Sequence, residues 1–169
     1  MMQSSPLNFR RVVIWLGRLV LGGIFLYAGY AKIVLPTMSP RPPMGVALAM
    51  FALQVDSYQL LAPWAVKFVA HTLPFAEIGL GLLLLIGWQL RAWATLASLL
   101  ILGFFAVVVR SYAVGLQINC GCFANPEPLT IVTVIRDGVL AVLGVAMTVF
   151  VFMEARRPHP WAKTEPTQS

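Results

Sequence analysis

The sequence has few charged residues and only two cysteines, and both shortages restrict what the chain can be. Charged residues make up 11% of its 169 residues, whereas 59% are hydrophobic. A soluble domain is usually about 45–50% apolar, so the composition predicts a membrane protein. No Cys-x-x-Cys-His sequence is present, which excludes the usual attachment of a c-type haem.

The formal net charge of +6 does not indicate a nucleic-acid partner. The basic residues stand mostly in short clusters that flank the apolar runs. Such clusters set the orientation of membrane helices and are not typical of phosphate binding. We therefore expect a lipid bilayer, and no nucleic acid, around this chain.

Four apolar segments are long enough to cross a bilayer, whose hydrocarbon core of about 30 Å needs about 20 helical residues. These spans are 12–31, 65–87, 92–109 and 129–152. Arg18 interrupts the first span and no small-x-small cleavage site follows it, so we interpret it as a retained helix and not a signal peptide. The sequence predicts an all-α, polytopic four-helix transmembrane domain over 1–155 and a polar cytoplasmic tail over 156–169.

The basic residues also predict which side of the membrane each loop faces. Basic residues flank both termini and lie between the second and third spans, namely Arg10, Arg11, Arg91, Arg156, Arg157 and Lys163. Because basic loops remain in the cytoplasm, we expect a bacterial inner membrane with both termini cytoplasmic. The loops at 33–64 and 115–130 would then be periplasmic.

The first outer loop contains a further apolar stretch, which begins at Pro42 and Pro43 and runs to about Val55. It is too short to span a bilayer, and prolines favour a helix start. We expect an extra helix in the outer interface or packed over the bundle, with a covering loop as the alternative. Six glycines are expected to allow close helix packing: Gly22, Gly23, Gly79, Gly81, Gly138 and Gly144.

Two charged residues lie well inside the first two spans. A charge at membrane depth needs a partner or a water-filled cavity. Arg18 and Glu77 fall at similar depths along their helices, so we expect them to pair. The simplest interpretation is a buried ion pair that fixes helix register.

The stretch "GLQINCGCFANPEPLT", residues 115–130, carries both cysteines, Cys120 and Cys122, with one glycine between them. We call it the cysteine loop. An oxidising compartment allows such a pair to form a disulfide, but closing so short a ring gains little stability and strains the bond. Strained, exposed disulfides exchange readily, so this spacing favours a redox pair over a structural staple.

A second set of charges is expected beneath the cysteine loop. Arg136 and Asp137 lie about two turns into the fourth span, and Lys32 and Arg110 approach the same level from neighbouring spans. Positive potential lowers the pKa of a thiol and favours the reactive thiolate. We therefore expect Lys32, Arg110 and Arg136 to activate the cysteine pair.

Metal binding is the competing use of the two sulfurs. A closed zinc site needs four ligands, and of the imidazoles His71 and His159, the latter is expected on the opposite side of the membrane. His71 is interpreted as a hydrogen-bonded interfacial residue. We predict no metal site, although Cu(I), which tolerates two soft ligands, stays open as a minor alternative.

The cysteine count limits the mechanism as well. The chain has one pair on one side of the membrane, so it needs an outer exchange partner. Repeated turnover would also require a quinone or a second protein for the other half-reaction.

Several motifs together resemble a known family. They are "RLVLGGIFLYAGYAKI", "YQLLAPW" leading to "LPFAEIGLGLLLLIG", and "INCGCF" followed by "VIRDGVLAVLG". Over about residues 18–144 the sequence resembles the MauE branch of the DoxX-like integral membrane proteins, with Ala124 where that family would have glycine. The resemblance implies a DoxX-like four-helix bundle and a redox-accessory role beside a periplasmic thioredoxin-like protein. It also implies a methylamine dehydrogenase-type client and, by analogy with thiosulfate-oxidising relatives, a quinone cofactor.

The leading hypothesis is a thiol-disulfide oxidoreductase or accessory that supports maturation of a cysteine-rich periplasmic enzyme. Cys120 and Cys122 would exchange with the partner, and the charged side chains of the spans would provide supporting electrostatics. The alternative is a non-catalytic assembly or scaffold subunit of a membrane complex. A small-solute or copper transporter is the third hypothesis.

Overall fold

The computed structural model describes residues 6–36, 38–116, 118 and 128–155, with side chains from residue 11 to residue 154. Five helices make up this part of the chain: α1 (Pro6–Val34), α2 (Met44–Ser57), α3 (Pro63–Ile86), α4 (Leu90–Ala113) and α5 (Ile131–Ala155). All except α2 are long and apolar enough to cross a membrane. The predicted all-α, polytopic fold is confirmed, whereas the predicted tail at 156–169 lies outside the described residues.

The long helices pack as antiparallel neighbours. Gly22 and Gly29 of α1 contact Gly81 and Pro74 of α3, so residue numbers rise along one helix as they fall along the other. The helix pairs α1 with α5 and α4 with α5 also pack together. At one end of the bundle α1 and α4 end, and α3 and α5 begin. We call it the loop end, because the cysteine loop joins α4 to α5 there.

An apolar core joins the four long helices. It contains two buried residues from each of them, listed here in chain order: Leu21, Phe25, Leu80, Leu84, Ala94, Ala97, Met147 and Val151. One polar link accompanies this core, because the Ser98 and Thr148 hydroxyl oxygens lie 2.8 Å apart and Thr148 donates to the Ala94 carbonyl. The link connects α4 to α5 within an otherwise apolar interface.

The short helix α2 confirms the extra helix that the prolines predicted, with Pro43 as its N-cap. It packs against α1 and α3 through Ala47, Leu48 and Phe51, which are buried. Its other side is also apolar and exposes large side chains such as Leu53, which is 71% exposed. A helix that is apolar all round suits burial between protein and lipid.

Candidate functional site

A buried ion pair joins α1 to α3. The Lys32 ammonium lies 2.6 Å from both Oε1 and Oε2 of Glu77. Each side chain is only 3% exposed. The pair therefore has little access to solvent, and each charge depends on the other for compensation.

The directions in which helical side chains lean explain why these two residues meet. Gly29 of α1 contacts Pro74 of α3. Lys32 lies three residues after Gly29 and Glu77 lies three residues after Pro74, but the two helices run in opposite directions. Their backbones are thus about six residues, or about 9 Å, apart along the bundle axis. Side chains tilt toward the N-terminus of their own helix. The Lys32 side chain therefore points away from the loop end, and the Glu77 side chain points toward it. Both directions shorten the distance between the ammonium and the carboxylate.

The predicted pairing of Arg18 with Glu77 is wrong. Arg18 donates from Nε to the Leu84 carbonyl at 3.0 Å and from Nη2 to the Leu85 carbonyl at 2.7 Å. It is level with Leu85, about 12 Å from Glu77 along the axis, and the two side chains lean in opposite directions. Arg18 instead satisfies carbonyls in the last turn of α3, where the helix dipole favours a cation.

Aromatic rings and a small cavity complete the surroundings of Lys32. Its ammonium lies 5.3 Å from the ring centre of Phe51 on α2 and 5.8 Å from that of Phe104 on α4, a distance at which an aromatic face attracts a cation. A cavity of about 70 Å³ is lined by Lys32, Glu77 and Asp137 among mostly apolar side chains. We call these three residues the buried cluster. Side chains of α1, α3, α4 and α5 line the cavity, and Phe51 of α2 lies near Lys32.

Asp137 connects the buried cluster to the loop end. Its Oδ1 lies 3.2 Å from Nε of Arg136, whose side chain is 32% exposed. Arg136 also lines a surface pocket of about 300 Å³ together with Pro128, Thr130 and Thr133. The adjacent Arg136 and Asp137 therefore face two different spaces, one at the surface and one inside the bundle.

The base of the cysteine loop lies directly beside this pocket. The Leu129 amide donates to the Ile118 carbonyl at 3.0 Å, which joins the two sides of the loop. The Thr133 hydroxyl lies 3.4 Å from the Pro128 carbonyl. Arg136 is thus located at the start of α5, beneath the described base of the loop.

Cys120 and Cys122 themselves lie outside the described residues, as does Ala124. The three cations that were expected to act on them have different surroundings in the described part of the chain. Lys32 is paired with Glu77, Arg136 lies beside Asp137, and Arg110 is exposed in the last turn of α4. Their effect on the two thiols stays a prediction.

His71 lies outside the buried cluster, on the exposed side of α3, with Nδ1 2.9 Å from the Lys67 carbonyl. Within the part of the chain that the structure describes, no three His, Cys, Asp or Glu side chains are grouped so as to hold a metal ion.

The pairing of Lys32 with Glu77 is the feature that sequence reasoning missed. Counting residues from the helix ends placed Arg18 at the depth of Glu77 and placed Lys32 with the charges beneath the cysteine loop. Side chains on antiparallel helices point in opposite directions along the bundle axis. With the register of α1 against α3 known, this rule would have favoured Lys32 over Arg18 as the partner of Glu77.

Comparison with known proteins confirms the expected family. Residues 10–150 match the family described as methylamine utilisation protein MauE. No curated protein and no solved structure matches the chain at a significant level. Since the family match covers most of the 169 residues and four helices are fit to span a bilayer, the chain belongs to the MauE family of multi-pass membrane proteins.

Proposed function

We propose that this protein is a redox accessory of the inner membrane that exchanges thiol-disulfide equivalents through Cys120 and Cys122. In this proposal both termini are cytoplasmic and the cysteine loop is periplasmic. The exchange partner is a periplasmic thioredoxin-like protein or a cysteine-rich client, with a methylamine dehydrogenase-type enzyme as the client that the family name favours. The observation that carries the proposal is the position of the only two cysteines, one residue apart in a loop whose base lies beside Arg136.

The chemistry of the exchange requires two thiols and no cofactor. A thiolate of one cysteine attacks a sulfur of the partner disulfide, which forms a mixed disulfide and releases the partner's other sulfur as a thiolate. The second cysteine then attacks the mixed disulfide and displaces the partner. In this direction two electrons pass to the partner, which leaves as a dithiol, and Cys120 and Cys122 remain as a disulfide. In the reverse direction a partner thiolate attacks the disulfide of Cys120 and Cys122, the partner leaves as a disulfide, and the two cysteines remain as thiols.

A quinone is the cofactor implied by analogy for re-oxidation or re-reduction of the pair. An apolar cavity of about 360 Å³ between α2, α3 and α4 has the size and lining usual for a small hydrophobic ligand. The half-buried Gln54 lines it and offers a side-chain amide as hydrogen-bond donor. The residues present therefore fit a quinone ring, which when bound would supply two-electron redox chemistry inside the membrane.

Single cysteine substitutions test the exchange directly. In cells, Cys122→Ser should accumulate a mixed disulfide with the partner if Cys120 attacks, and Cys120→Ser should do so if the order is reversed. Removing the resolving thiol blocks the second displacement and extends the lifetime of the intermediate. The measurement is a reductant-sensitive shift on non-reducing gels, followed by identification of the trapped protein.

The double variant Cys120→Ser/Cys122→Ser is the matched control and should trap nothing. It should also abolish maturation of the client, measured as the yield of correctly disulfide-bonded enzyme. Normal maturation in the double variant would overturn the redox proposal and favour a scaffold subunit.

A further inference from the structure

Polar side chains lie in succession from the base of the cysteine loop to the interior of the bundle. The series begins at the surface pocket lined by Thr133 and Arg136. It continues through the contact of Arg136 with Asp137, crosses the cavity that Asp137 shares with Glu77, and ends at Lys32. Neither the family match nor the proposed exchange reaction assigns a role to this series.

We propose that the buried cluster is a proton-binding site for the cysteine pair, with Asp137 and Glu77 as the groups that accept and return protons. This inference rests on the proposed thiol-disulfide exchange. Each cysteine S–H that ionises passes its proton, by way of water beside Arg136, whose guanidinium stays protonated, to the carboxylate of Asp137 or Glu77. The site returns one proton to each of the two thiolates that the partner releases, so two protons accompany the two electrons.

The cavity has the properties that a proton route requires. Its volume of about 70 Å³ exceeds the space needed for a water, which is about 10–15 Å³ by the same kind of measure. Three polar side chains would offer that water the hydrogen bonds it needs in otherwise apolar surroundings. A water held there would bridge the carboxylates of Asp137 and Glu77, which both line the cavity.

The charges around the cavity are balanced, so that a proton can be added without leaving a large net charge. Among the described residues, two cations, Lys32 and Arg136, and two carboxylates, Glu77 and Asp137, face the cavity or adjoin it, and their formal charges sum to zero. The aromatic rings of Phe51 on α2 and Phe104 on α4 lie near Lys32, and the residues of α4 that line the cavity carry no charge.

A purely structural role explains less of this arrangement. A single ion pair would fix the register of α1 against α3, and an apolar pair of similar volume would do so at equal or lower cost. It would not require a third ionisable group in the same cavity, or a connection from that group to the surface. Ionisable chains that link a membrane interior to one surface are typical of proton relays.

The test uses the full-length protein in lipid nanodiscs and the double variant Lys32→Met/Glu77→Met. This variant removes one cation and one anion, so it leaves the net charge beneath the loop unchanged. We measure the rate at which the reduced cysteine pair reacts with a small alkyl disulfide, whose leaving thiolate takes up a proton, across a range of pH. The rate constant should fall at least about tenfold, while the pH midpoint for thiolate formation stays within about half a unit of that of the native protein.

Ser98→Ala/Thr148→Val is the matched control, because it removes another polar pair between helices, which is part-buried and lies outside the buried cluster. It should react at the native rate. A native rate in Lys32→Met/Glu77→Met would overturn the route that reaches Glu77, and with it the proposed two-carboxylate site, and would leave the proposed exchange function intact.

Infrared difference spectroscopy provides a readout that does not depend on exchange. Protonation of Glu77 on acidification gives a carboxylic C=O band that should be absent in Glu77→Met and present in the Ser98→Ala/Thr148→Val control. If the native protein fails to exchange disulfides, the proposed function fails, and this band still decides the proton site. If no such band appears in the native protein, the proton site is overturned.

Discussion

Replacing Glu77 by Met, with Lys32 in place, should destabilise the protein by about 3–5 kcal/mol, and Lys32→Met should have a similar effect. Either change leaves one charge buried without its partner, since each side chain is only 3% exposed. The ammonium loses both oxygens at 2.6 Å, and the contacts with Phe51 and Phe104 compensate only partly. Denaturant unfolding in a fixed detergent or lipid mixture measures the loss.

The double variant Lys32→Met/Glu77→Met should be far more stable than either single variant, and close to the native protein. Apolar side chains of similar volume fill the same space and avoid the desolvation of two charges. The double-mutant cycle should therefore give a coupling energy of at least about 3 kcal/mol. Additive losses in the double variant would show that the two side chains act separately, which contradicts the ion pair.

Together with the kinetic test, this cycle separates stability from function. The same double variant is expected to fold well and to exchange slowly. If the ion pair only fixed the helix register, the double variant would fold well and would exchange at the native rate.

The sequence predicted the long helices well, because the length of an apolar run translates directly into a helix that spans the bilayer. The spans predicted at 65–87 and 92–109 correspond to α3 and α4, whose bounds are Pro63–Ile86 and Leu90–Ala113. The helix α2 was predicted because prolines mark its start. In each case the information lies along the chain, where residue order is sufficient.

Predictions that depend on rotation about the helix axis were less successful. Depth along the spans placed Arg18 near Glu77, although the direction in which the side chains point favours Lys32 as the partner of Glu77. Gly22 and Gly81 do permit close contact, but a Cβ on Gly23 or Gly79 would meet nothing within 4 Å. Composition does not determine which face of a helix meets a neighbour, because that depends on the packing of all the helices at once.

The glycines of the α1 and α3 interface support the most specific prediction about packing. Gly29→Ala should destabilise the protein by about 1–3 kcal/mol, because the added Cβ would lie 2.6 Å from the Pro74 carbonyl oxygen and 2.7 Å from Cγ1 of Ile78. A backbone oxygen cannot move aside as a flexible side chain can, so the two helices must separate. Thermal or denaturant unfolding measures this loss.

Gly23→Ala is the matched control on the same helix. Its Cβ would enter open space, and alanine favours a helix over glycine by about 1 kcal/mol, so this variant should be neutral or slightly more stable. Equal losses in Gly29→Ala and Gly23→Ala would contradict the packing of α1 on α3.

The position of Gly29 extends this prediction to the buried cluster. Gly29 lies one turn from Lys32, and Ile78, which its Cβ would meet, is adjacent to Glu77. Separating α1 from α3 at this level would lengthen the contact between Lys32 and Glu77 and widen the cavity beside it. Gly29→Ala should therefore weaken the coupling energy of the Lys32 and Glu77 cycle, whereas Gly23→Ala should leave it unchanged. An unchanged coupling energy in Gly29→Ala would mean that the ion pair adjusts independently of the helix contact below it.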